Sequence, residues 1–105
     1  MREEELYTAV KKNEILMFIN HVENATTNYL LLKERFERAV KETGDINEIK
    51  EINSLVRVEI GRLSDFGQEV EGYMPKGYVD LFNNFGLLEE KTNLIIKRNE
   101  REMGK

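Results

Sequence analysis

The sequence predicts an all-α fold, an antiparallel bundle of three long helices, and three observations carry that prediction. From Arg2 to Thr43 the chain contains neither glycine nor proline. Pro75 is the single proline, whereas β-rich folds need many turn residues. Charged residues make up 34% of the chain and apolar ones 40%, and the apolar ones recur at helical spacing, a combination typical of helical bundles rather than disordered chains. A chain of 105 residues has room for one domain, residues 1–105, with one core.

Helix A is expected over about residues 2–43. Within it Ile15, Phe18, Val22, Ala25, Tyr29, Leu32, Phe36 and Ala39 alternate spacings of three and four, a heptad-like seam. The seam crosses Asn24-Ala25-Thr26-Thr27-Asn28, where Asn and Thr are poor helix formers. A break near Asn24 makes the bundle four-helical; the unbroken seam favours a continuous helix. Leu16, Met17 and Ile19 widen the seam, so this section is expected to be covered on more than one side.

Thr43-Gly44-Asp45 marks the first boundary, because glycine suits the left-handed conformation that ends a helix. Asp45 followed by Glu48 resembles a capping box with Asp in place of Ser or Thr. Helix B follows over about residues 45–72, with Ile49, Ile52, Val56, Ile60, Leu63 and Val70 as its stripe and Phe66 beside it. Gly61 and Gly67 inside it are read as marks of close helix approach or a bend. Gly72-Tyr73-Met74-Pro75-Lys76-Gly77 is a turn. Helix C covers about residues 75–102 with Tyr78, Leu81, Phe82, Phe85, Leu88 and Ile95, and Asn83-Asn84-Phe85-Gly86 is the point at which it could split.

Length sets a geometrical problem. A continuous helix A is roughly 63 Å long, while B and C are each roughly 40 Å. Part of helix A therefore overhangs a monomeric three-helix bundle. A homodimer resolves this, with Ile15, Phe18, Val22, Ala25 and Tyr29 as the expected dimer seam.

The net charge of −4 offers no basic face for phosphates, so no nucleic-acid partner is expected. Without cysteine there is no disulfide framework, no thiolate nucleophile and no Cys-based metal site. Met1-Arg2-Glu3-Glu4-Glu5 puts acid where a secretory leader carries basic residues. The longest apolar run, Ile15 to Ile19, falls far short of the roughly 20 residues needed to span a bilayer. A cytoplasmic protein with no membrane partner is expected. The abundance of Asn, Lys, Glu and Ile matches the codon bias of AT-rich bacterial or phage genomes.

Three constellations could carry chemistry. His21, the single histidine, invites comparison with phosphotransfer bundles, but Val22-Glu23-Asn24-Ala25 lacks the Lys and Gly those domains place after the histidine. It is read as a polar position beside the core, and a lone histidine makes no metal site. Glu34 and Glu37, then Glu48 and Glu51, form two i,i+3 pairs on successive helices. This arrangement resembles the all-α nucleotide pyrophosphohydrolases of the MazG type, whose Glu-x-x-Glu and Glu-x-x-Asp pairs point inward around Mg²⁺. The resemblance implies a Mg²⁺-dependent hydrolase with these four as ligands. The chain departs from that pattern: Glu51 stands where the second pair has Asp, the surrounding pattern is absent, and Glu34 lies opposite the apolar seam. Solvated ion pairs such as Glu34–Arg38 and Glu37–Lys41 are the preferred reading, with no metal and no cofactor.

The third constellation is aromatic. Tyr73, Tyr78, Phe82 and Phe85 crowd the B–C turn, with Met74 among them. They either close the end of the core or protrude as anchors for a partner, since Tyr, Phe and Met are enriched in interface cores. Tyr73, Met74, Tyr78 and Phe82 are taken as the candidate partner-binding residues. The function expected is that of a non-enzymatic protein-interaction module, an adaptor, inhibitor or assembly factor, binding an unidentified protein through apolar helix faces. A purely structural self-assembling coiled coil is the further alternative.

Overall fold

The computed structural model describes residues 3–69 and 77–104, with side chains described over 12–65 and 77–104. Three helices pack against one another: α1 (Glu3–Arg38), α2 (Ile46–Glu69) and α3 (Tyr78–Met103). The predicted all-α bundle is borne out. Among the described residues there is no strand. Nor is any helix among them long and apolar enough to cross a membrane.

α1 is continuous through Asn24–Asn28. There Thr26 donates its hydroxyl to the Val22 carbonyl at 2.8 Å and Thr27 to the Glu23 carbonyl at 3.4 Å. These local bonds satisfy the polar side chains without disturbing the ladder. α1 ends in one widened turn, Ala39–Thr43, in which the Gly44 N–H reaches back five residues to the Ala39 carbonyl at 2.7 Å. Gly44 adopts φ 59°, the left-handed conformation that glycine permits at low cost. Asp45 then caps α2, its Oδ1 accepting from the Asn47 N–H at 2.9 Å. The capping box is incomplete, because Glu48 turns away to Arg35 on α1.

The pairs Arg35–Glu48 and Asn28–Glu59 set α1 and α2 antiparallel, and Asn53–Thr92 with Leu63–Tyr78 do the same for α2 and α3. The three apolar stripes meet in one core. Phe18, Val22, Ala25 and Leu32 of α1, Ile52, Val56 and Leu63 of α2, and Leu81, Phe85 and Leu88 of α3 are all buried in it. α3 is one helix, unbroken at Asn83–Gly86. Gly61 does not mark close helix approach: a Cβ built there meets nothing within 4 Å, and the same holds at Gly86. Gly67's surroundings, like Phe66 and Val70, lie outside the described side chains.

The long dimension of the molecule is 69 Å, against widths of 23 and 18 Å. Phe18 lies beside Tyr78 at the start of α3, their rings edge to face at 5.4 Å. From that level α1 continues toward Glu3 for roughly 22 Å, whereas α3 starts there and α2 continues from Leu63 to Glu69 for roughly 9 Å.

Candidate functional site

On the side away from α3, α1 and α2 enclose an open groove. α1 supplies Asn28, Leu31, Leu32 and Arg35, and α2 supplies Leu55, Val58, Glu59 and Arg62. Each set follows the i, i+3, i+4, i+7 pattern, so each forms one flank of its helix, and Leu32 at its inner edge also belongs to the core. The groove has a volume of about 330 Å³. Its walls are apolar and open to solvent: Leu31 is 60%, Val58 50% and Leu55 39% exposed.

The floor is polar. Glu59 is buried, and its Oε1 accepts a hydrogen bond from Asn28 Nδ2 at 3.2 Å while Arg62 approaches to 3.5 Å. A buried carboxylate needs such partners, because desolvation penalises an uncompensated charge. His21 lies on the same flank of α1, and burial holds its pKa below the ordinary 6.5; Glu59 opposes that shift and Arg62 adds to it. Arg35, also in the lining, bridges Glu48 and Glu51, with its Nη2 3.1 Å from Glu51 Oε2. These carboxylates hold the guanidinium in its charged form. The groove is therefore an apolar slot over a compensated polar floor, suited to apolar side chains with an occasional polar group.

The four carboxylates that resemble a hydrolase ligand set do not converge. Glu34 pairs with Arg38 at 2.9 Å, Glu37 is exposed, and Glu48 and Glu51 both embrace Arg35. Among the described residues no three His, Asp or Glu side chains are placed to hold a metal ion.

The aromatic residues fall differently from the partner-binding expectation. Tyr78 is buried, stacks with Phe82 at 6.2 Å and donates its hydroxyl to the Leu63 carbonyl at 2.6 Å. Phe82 is half-buried and packs against the core. Both close the end of the bundle, because α3 begins immediately after Gly77 and turns their rings inward. Tyr73 and Met74 lie outside the described residues.

The expected dimer seam is also occupied from within. Phe18, Val22 and Ala25 are buried by the same chain, and Ile15 and Tyr29 pack against that core, Tyr29 edge to face with Phe85 at 5.3 Å. The α2–α3 hairpin fills the place assigned to a second chain. Leu16 and Met17, expected to be covered, are more than half exposed. Leu31, Leu55 and Val58 were not distinguished by periodicity, since they lie outside the buried stripes; the signal in the sequence was that they are apolar at all. Compared with known protein families, curated proteins and solved structures, the chain matches none.

Proposed function

We propose that this protein is an interaction module, an adaptor, inhibitor or assembly factor, whose docking surface is the α1–α2 groove with the adjoining outer face of α1. The observation that supports this reading is the set of exposed apolar walls, Leu31, Leu55 and Val58, lining a slot of about 330 Å³. Apolar side chains grouped in a groove with charged ends are the usual seat of an amphipathic helix. Scattered exposed apolar residues carry no such meaning, and Leu94 on α3 serves as their representative.

The test compares three exposed-site variants as baits in affinity capture: Leu55→Glu, Val58→Glu and Leu94→Glu. A bound protein retained by the natural chain and by Leu94→Glu, but lost with either groove variant, is the expected result. Capture indifferent to all three positions contradicts the assignment of the groove.

A further inference from the structure

Resting on that reading of the docking surface, we infer that the helix it receives is α1 of a second copy, packed antiparallel about a twofold axis between Glu23 and Asn24. α1 carries a second seam on the side opposite the core. Asn13, Met17, Asn20, Asn24, Thr27, Leu31 and Glu34 repeat at alternating steps of four and three, and all are exposed. Leu16 and Leu30 border this seam and are likewise more than half exposed. The outer face thus has two apolar pairs, Leu16/Met17 and Leu30/Leu31, about 21 Å apart along the axis. Uncharged Asn20, Asn24 and Thr27 separate them.

The two pairs are equidistant from the midpoint between Glu23 and Asn24, which makes the face self-complementary. In an antiparallel arrangement Leu16 meets Leu30 of the second copy and Met17 meets Leu31, and symmetry repeats both contacts. Asn20 meets Thr27, Asn24 meets its own copy, and Lys12 meets Glu34. Asn in such a seam fixes register at some cost in affinity. A parallel arrangement instead sets Lys12, Glu34 and Arg38 each against itself, so charge selects the antiparallel one. Glu23 approaches its own copy in either case.

Two structural features join this account. The partner's Met17 arrives beside Leu31 at the mouth of the α1–α2 groove, where Leu55 and Val58 extend the apolar surface. Residues 9–17 of α1, toward its projecting end, come to lie along residues 30–38 of the other α1. The pairing also covers Leu16 and Met17.

Because the chain contains no cysteine, Asn20→Cys and Thr27→Cys variants each carry a single thiol. Under oxidising conditions the expected result is a disulfide-linked dimer in the mixture of the two. Each variant alone should link far more slowly, since its own two copies stand roughly 10 Å apart along the axis, beyond disulfide reach. Light scattering should give twice the 12.4 kDa chain mass, and Glu23→Gln should tighten the dimer by about two- to fivefold through loss of a like-charge contact. Ready linking of Asn20→Cys with itself, or one-chain mass at every concentration up to millimolar, overturns the pairing. If that monomer still shows groove-dependent capture, the pairing alone fails; if capture is also indifferent to Leu55 and Val58, the docking surface fails with it.

Discussion

Asn53 of α2 and Thr92 of α3 are buried against each other, the Asn53 carboxamide donating to Thr92 Oγ1 at 2.8 Å and to Asn93 Oδ1 at 3.0 Å. The Thr92 hydroxyl in turn bonds to carbonyls of its own helix, at Leu88 and Glu89. This polar link fixes the axial register of the α2–α3 hairpin, because a shift of one turn leaves both groups buried without partners. Thr92→Val should cost about 1–2 kcal/mol, since the Asn53 amide loses a buried acceptor. The double variant Asn53→Leu/Thr92→Val should recover part of that loss, which urea denaturation of the single and double variants will show.

Tyr78 offers a sharper distinction between core and surface. Tyr78→Phe keeps the ring contacts with Phe18 and Phe82 and removes the bond to the Leu63 carbonyl. It should cost about 1 kcal/mol. Tyr78→Ala should cost about 3–5 kcal/mol by opening a cavity. A truncation without measurable effect on the denaturation midpoint would contradict the burial of this side chain.

Gly61 and Gly86 lie inside helices with open space where a Cβ would stand. Gly61→Ala and Gly86→Ala should each therefore raise stability by about 0.5–1 kcal/mol, through higher helix propensity and a more restricted unfolded chain. Thermal melts of the two variants measure this directly. By contrast, Gly44 holds φ 59°, so Gly44→Ala should destabilise.

The environment of His21 makes stability depend on pH. Burial lowers its pKa from 6.5, so in the window between 6.5 and the folded-state value the unfolded chain binds more protons than the folded one. The stability is therefore complete above 6.5 and declines as pH falls through the lowered folded value. Denaturation midpoints measured about one pH unit above and below 6.5 should differ less in His21→Gln than in the natural chain. An unchanged difference would assign the pH dependence to other groups.

The legible part of this fold was its periodic part. The seam from Ile15 to Ala39 contained enough information to carry α1 across its Asn- and Thr-rich middle, because the hydroxyls of Thr26 and Thr27 find carbonyls one turn back and do not compete for the ladder. The side chains whose roles depend on a neighbouring helix were not legible. Glu48 stood at a capping-box position, yet a charged guanidinium on α1 is a stronger partner than a backbone N–H. Tyr78 sits next to a turn, where tyrosines are often exposed, and only the approach of Leu63 and Phe18 makes it core. The groove was hidden for the same reason. Leu31, Leu55 and Val58 are apolar residues on two different helices, and they become a surface only through the register that Asn28–Glu59 and Arg35–Glu48 impose.

Leu31 belongs to both the groove and the outer seam of α1, and its exposure allows it to be changed without entering the core. Sedimentation of the natural chain beside Leu31→Glu is therefore the most direct measurement of the interaction surface. The natural chain should move toward twice 12.4 kDa as concentration rises, while Leu31→Glu should stay at the mass of one chain with unchanged helical circular dichroism. Superimposable sedimentation of the two proteins at all concentrations would contradict this expectation.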